Sequence, residues 1–295
     1  MFRLTPMRLF VILVVLTFGL ALGLPPDPHT VHQLHTTTAN YRIAVAALLI
    51  PYALIWYLSF YAFAKLQEYG KLLKGAKDGF AFRKISIGMG AIAFSLVFPT
   101  TISLIVNDIA THHSTFKVAS LIINNYLGLF PGMVSFLLLY SGTRSLLNTN
   151  KKIIEKLDLR WHIPWFIVFC IVFAHLAIDN RHQYHLSLWL LILTFIVPYL
   201  YGWSVGILSA YDLTLYARTV AGSLYRQAIK RLALGITVVI IASIAIQFIN
   251  ITVAQRIDKS LGTLVLVDYI LLIVVAVGLG LMALGTKRLK KIEEI

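Results

Sequence analysis

Apolar positions along this chain do not form the periodic stripes of a soluble helical protein. They come in uninterrupted runs of about 16 to 25 residues, each about long enough to cross a hydrocarbon core of roughly 30 Å. The runs lie near Leu9 to Leu24, Ile43 to Ala64, Ile87 to Val106, Val118 to Tyr140, Ile163 to Ile178, Leu186 to Tyr211, Leu232 to Ile249 and Thr263 to Leu284. They lack the alternation of barrel strands, and backbone groups in lipid must be satisfied within their own segment, so each run predicts a helix. The expected fold class is an all-α integral membrane protein with eight transmembrane helices. Between the runs the longest hydrophilic stretches reach only about 20 residues, too short for a soluble domain.

The second half of the chain repeats the first. A shift of 147 places Pro51 on Pro198, Tyr52 on Tyr199, Trp56 on Trp203, Leu66 on Leu213, Tyr69 on Tyr216, Gly75 on Gly222 and Gly88 on Gly235. Further along, a shift of 143 pairs Asn107 with Asn250, Asn125 with Asp268, Tyr126 with Tyr269, Gly142 with Gly285, Thr143 with Thr286 and Arg144 with Lys287. Matched leucines would mean little in so apolar a chain, whereas Pro, Trp, Gly, Asn and Tyr are scarce enough to carry weight. Residues 1–144 are the expected first repeat of four helices, 145–160 a cytoplasmic linker and 161–295 the second repeat. Four spans is an even number, so both copies enter the membrane in the same direction. A pseudo-twofold axis along the membrane normal is expected, in contrast to inverted repeats.

Charge then fixes the expected orientation. Basic residues follow every second run: Arg3 and Arg8 precede the first, Lys71 to Lys84 follow the second, Arg144 to Arg160 the fourth, Arg218 to Arg231 the sixth and Lys287 to Lys291 the last. The positive-inside rule puts these connections and both termini in the cytoplasm, at the plasma membrane, with anionic lipid headgroups as natural neighbours. The formal net charge of +14 is thus topological, and a nucleic-acid partner is not expected. Composition agrees, with 59% apolar and 13% charged residues, about half the charged share of a soluble domain. The first run also reads as a cleavable signal sequence ending at Ala21-Leu22-Gly23, but its equally short mate lies in mid-chain, which favours a retained helix. Cys170 is the lone cysteine, so no intrachain disulfide is expected.

Candidate chemistry is sparse. Pro51-Tyr52 with Trp56, and Pro198-Tyr199 with Trp203, set an aromatic pair one turn apart behind a helix-breaking proline, which suits either repeat packing or an aromatic-lined cavity. Gly128 with Gly132 and Gly202 with Gly206 have the spacing that lets two helix backbones approach, while Gly278, Gly280 and Gly285 suggest a flexible last span. The connections after the second and sixth spans suggest short interfacial helices broken at Gly75 and Gly222. Polar groups inside apolar spans are costly unless paired or wetted. Asp268 with Tyr269, their mates Asn125 and Tyr126 beside Asn124, the span-capping Asn107 and Asn250, and His175 together predict an outward polar pocket. Lys65 and Asp212 occupy corresponding places and are expected to pair across the axis. His35, His182 and His185 fall in outer connections, where they read as loop residues or as a weak pH or metal site. No cofactor is expected.

No Walker motif, nucleophile elbow or dinucleotide fingerprint occurs, so enzyme classes recede and no catalytic residue is assigned. The leading expectation is a transporter or permeation protein with a small solute bound between the repeats. Its rival is a non-catalytic scaffold or sensor that docks a protein partner through basic cytoplasmic loops and responds to external pH or metal. A second copy of the chain is the other expected contact.

Overall fold

The computed structural model describes residues 5–23, 32, 36–73, 77–110, 134–147, 197–220, 222–256 and 261–293. Among them every regular element is a helix: α1 (Pro6–Gly23), α2 (Thr38–Leu72), α3 (Lys77–Ala110), α4 (134–147), α5 (Val197–Thr219), α6 (Ser223–Arg256) and α7 (Leu261–Glu293). Within the described residues, four segments are long and apolar enough to cross a membrane: Pro6–Gly23, Thr38–Leu72, Ser223–Ala245 and Val265–Leu289. The described residues are all-helical, and these four apolar helices mark the chain as a membrane protein. The run at 163–178, most of that at 118–140 and the first part of that at 186–211, residues 186–196, lie outside the described residues.

Local chemistry sets the helix ends. Thr37 sits in extended backbone before α2 and its hydroxyl accepts from the Asn40 N–H at 3.2 Å, an N-cap that satisfies one orphan donor. At the other end, the Arg83 Nε donates to the Gly70 carbonyl at 3.1 Å, and Arg226 donates to the Val220 carbonyl just past α5 at 2.9 Å. Part of the basic charge therefore caps helix C-termini, where the macrodipole favours a cation. The expected short interfacial helices are absent as separate elements among the described residues. α2 instead runs for 35 residues, about 50 Å and well beyond the hydrocarbon thickness, with Pro51 and Gly70 both accommodated inside it. Breaks between helices do fall around the two glycines, since α2 ends at Leu72 and α3 begins at Lys77, and α5 ends at Thr219 and α6 begins at Ser223.

The helices pack in a ring. α2 meets α3, α5 meets α6, α6 meets α7, and α7 closes back on α2. α4 fills the remaining place between α3 and α5. Glycines set the closest approaches. A Cβ on Gly88 of α3 would lie 2.8 Å from the Ser135 carbonyl oxygen of α4, and one on Gly235 of α6 would lie 2.5 Å from the Gly278 carbonyl oxygen of α7. Gly142 approaches the Ala81 carbonyl of α3, and Gly285 approaches the Ala228 carbonyl of α6. Gly278 and Gly285 thus seat one backbone on another, which corrects the expectation of a flexible last span. Gly202 and Gly206 differ from expectation too, since they make room for the Phe136 ring and for Ile240, not for a second backbone. Gly128 and Gly132 lie outside the described residues.

α1 lies against α2 and α3. Phe10 stacks on Phe60 at 4.5 Å between ring centroids and meets Phe94 edge-on at 5.7 Å, while Phe18 meets Trp56 edge-on at 6.0 Å. The Thr17 and Thr101 hydroxyls hydrogen-bond to each other in the same buried seam, which spares both an unmet polar group in an apolar layer. The core is densest where α2, α3, α5, α6 and α7 carry their basic ends: Leu66, Phe82, Ile85, Leu213, Ile229, Leu232 and Leu289 are each at most 1% exposed.

Candidate functional site

Two polar constellations join the halves at the basic end. The first is an ion pair between α4 and α5, in which Arg144 Nη1 lies 2.8 Å from Asp212 Oδ1, with the carboxylate side chain 1% exposed. The guanidinium also sits 5.8 Å from the centre of the Tyr140 ring. This corrects the expected Lys65–Asp212 pair. Lys65 on α2 instead bonds Glu68 one turn along its own helix at 3.1 Å. The reason is positional: the ring places α4, not α2, beside α5, so among the described residues the cation that pairs with Asp212 comes from the fourth helix.

The second constellation gathers Tyr69 of α2, Asp78 of α3, Tyr216 of α5 and Tyr225 of α6. The Tyr216 hydroxyl donates to Asp78 Oδ2 at 2.6 Å and lies 3.4 Å from the Tyr225 hydroxyl. The Tyr225 ring is 6.5 Å from that of Tyr69, which packs edge-on against Phe82 at 5.0 Å. Burial, and then the hydrogen bond to Asp78, push the Tyr216 phenol well above its usual range. A phenol whose folded pKa is raised keeps its proton where the unfolded chain begins to lose it, near pH 10. Its contribution is therefore intact below about pH 10 and lost as the pH climbs further. Tyr216→Phe should cost about 1.5–3 kcal/mol, the usual worth of a hydrogen bond to a charged group, and should flatten the fall in stability above pH 10. Unfolding in mixed micelles followed from pH 8 to 11 measures both.

Sequence reasoning aligned Tyr69 with Tyr216 but did not bring this cluster together. The signal was present at the same offset, because Asp78 and Tyr225 are also 147 residues apart.

At the opposite end of the bundle, Asp268 lies partly exposed on α7, within electrostatic range of the Tyr52 hydroxyl of α2. Tyr52 follows Pro51, whose missing N–H leaves the Ala47 carbonyl without its helical donor. Tyr52 is 40% exposed and tilts against the buried Trp56 at 5.9 Å, so the two rings share a face as expected. Trp56 is a packing residue against α1, and Trp203 donates to the Ser243 hydroxyl of α6 at 3.2 Å. Tyr269 is partly buried beside Asp268. Pro198 and Tyr199 lie in α5, and Asn107 and Asn250 lie within α3 and α6. Those helices run on to Ala110 and Arg256, past the apolar runs whose ends the two asparagines were expected to cap. Asn124, Asn125, Tyr126, His175, His35, His182 and His185 lie outside the described residues. Among the described residues no three His, Cys, Asp or Glu side chains converge as a metal site would require.

The chain matches no family model, no curated protein and no solved structure, so the geometry of these two ends carries the functional reading alone.

Proposed function

We propose that the chain is a carrier for a small solute, built from two parallel four-helix repeats around a pseudo-twofold axis, with both termini in the cytoplasm of a cell whose plasma membrane it spans. Recurrent contacts support the duplication. Gly88 meets Ser135 and Leu139, and Gly235 meets Gly278 and Met282, residues that correspond at the offsets of 147 and 143. Gly142 with Ala81 and Ile85 corresponds in the same way to Gly285 with Ala228 and Leu232. Thr143 donates to the Tyr140 carbonyl, and its mate Thr286 donates to the mate carbonyl of Ala283. Across the halves, Tyr216 with Asp78 corresponds to Tyr69 with Tyr225.

The observation that carries the transport reading is Asp268. A carboxylate in an apolar span is expensive unless it faces a partner or water, and such residues mark pathways for ions and solutes. This one faces a tyrosine beside a proline-disrupted turn, above a basic end that is closed by packed apolar side chains, a buried ion pair and the tyrosine cluster. That arrangement suits a carrier open on the non-cytoplasmic side, with a cationic or proton-coupled solute as the cargo that a lone carboxylate recognises. Docking through the basic connections is the weaker reading, because Arg83 and Arg226 cap helices and Lys84 bonds the Ser141 hydroxyl at 3.0 Å. No enzymatic role is proposed. Purified protein in proteoliposomes, screened with organic cations under a proton gradient, should show flux that Asp268→Asn reduces to the level of protein-free vesicles while leaving the unfolding midpoint unchanged. Undiminished flux in Asp268→Asn would remove the carboxylate from the pathway.

A further inference from the structure

An apolar groove of about 380 Å³ opens sideways between α1 and α2. Its walls are Phe10, Val11 and Val15 of α1 with Ala53, Tyr57 and Ala64 of α2, and Lys65 stands at one end beside Met7. Val15, Tyr57 and Val11 are 66%, 55% and 45% exposed, so the groove faces whatever surrounds the bundle. Three features of the groove specify an occupant.

The first is length. Ala53 and Lys65 are twelve residues apart on one continuous helix, about 18 Å at about 1.5 Å per residue. Half of a roughly 30 Å hydrocarbon core is about 15 Å, so the groove reaches from one membrane interface to the mid-plane. A groove for a second protein helix would have no reason to stop there. A single acyl chain does.

The second is polarity along the groove. α1 and α2 run antiparallel, which sets Lys65 at the same end as the N-terminal turn of α1, where Arg8 is exposed next to Met7. Cationic groups therefore gather at the interface end only, and the deep end is lined by Ala53, Tyr57, Val14 and Val15, with no charged group. An anionic headgroup above an acyl chain has the complementary distribution, and basic pockets beside spanning helices bind such headgroups.

The third is preorganisation. Lys65 is not a free-swinging side chain, because Glu68 accepts from its ammonium at 3.1 Å and the Tyr61 ring lies 5.9 Å beneath it. An ammonium has three donors, so N–H groups remain for a phosphate oxygen once Glu68 has taken one. Held in this way, the charge stays at the groove mouth and does not snorkel away from it.

We infer that this groove is a binding site for one anionic phospholipid of the leaflet at the basic end, with an acyl chain between α1 and α2 and its phosphate on Lys65. The inference rests on the membrane character of the chain and not on transport through Asp268, so either can fail alone.

The test uses the full chain in nanodiscs containing equal phosphatidylglycerol and phosphatidylcholine, each in turn carrying a photoreactive group in the acyl tail. Cross-links from phosphatidylglycerol should map to the peptides around Val11 to Val15 and Ala53 to Tyr57. Native mass spectrometry after mild detergent extraction should retain one phosphatidylglycerol per chain. Lys65→Gln should lower the preference for phosphatidylglycerol over phosphatidylcholine about fivefold, the weight of one interfacial cation, and Lys65→Arg should keep it. Ala53→Trp, which fills the deep end, should abolish the tail cross-links there. Should that variant fold poorly, the Lys65 pair still decides. Cross-links spread evenly over all exposed apolar faces, an unchanged lipid preference in Lys65→Gln, or cross-links in the groove to a second copy of the chain would each overturn the assignment.

Discussion

Arg144→Ala lowers the stability of the bundle by about 3–5 kcal/mol, the cost of taking the guanidinium away from a carboxylate that is 1% exposed. The cost arises chiefly from the Asp212 carboxylate, which stays buried without this guanidinium, whereas Arg144 is 36% exposed and keeps its access to water, so Asp212→Ala costs less. Replacing both partners with leucine therefore hurts much less than removing one, and can be neutral, since no charge is then left in the seam. Urea unfolding of the single and double variants in mixed micelles yields the coupling between the two positions directly. The same experiment separates the two assignments for Asp212. Lys65→Ala, which the geometry confines to an exposed bond with Glu68, should shift stability by less than about 1 kcal/mol, and its effect should add to that of Asp212→Ala.

Gly235→Val opens the seam between α6 and α7 and costs about 3 kcal/mol, at the upper end of what overpacking brings, because beside the Met282 side chain two backbone atoms stand in the way. The new side chain meets the Gly278 carbonyl and the Met282 N–H of α7, neither of which can swing aside as a flexible side chain would. Gly88→Val acts alike against the Ser135 carbonyl and the Leu139 N–H. Gly280→Ala and Gly19→Ala supply the contrast, since nothing lies within 4 Å of either added Cβ. There the lower entropy of the unfolded chain and the better helix propensity of alanine give about 0.5–1 kcal/mol of added stability. Thermal unfolding of these four variants checks the ranking, and equal losses at all four positions would contradict it.

How far the sequence could be read follows from which forces are local. The length of the apolar runs determines helices regardless of their neighbours, and the stretches around Ile43 to Ala64, Ile87 to Val106, Leu232 to Ile249 and Thr263 to Leu284 all fall inside α2, α3, α6 and α7. Gly88 and Gly235 were legible only as matched positions of the repeat, and that they seat one backbone on another came from the packing of the helices. Partner choice depends on the order of helices around the ring, which no periodicity encodes. That is why Asp212 was expected to meet Lys65 and meets Arg144. Gly202 and Gly206 fail for a related reason: glycine spacing marks a hollow in a helix surface, and only the neighbouring helix decides whether a backbone or the Phe136 ring fills it. The Tyr69, Asp78, Tyr216 and Tyr225 cluster was hidden because tyrosines in interfacial connections usually point to headgroups, and their convergence depends on four different helices. Asp268 stood out from residue type alone, whereas its nearness to Tyr52 required the packing of α7 on α2.

The Arg144–Asp212 bond also sorts the two halves by charge. On the proposed twofold, its mirror position brings Lys287 of α7 toward Lys65 of α2, two cations where the other side has an opposed pair. Two copies of the first half would set Arg144 against Lys65 at both seams and repel. Two copies of the second would set Lys287 against Asp212 and attract. Under the proposed duplication, the first half would lean on the second, and covalent tethering would keep the two together in one chain.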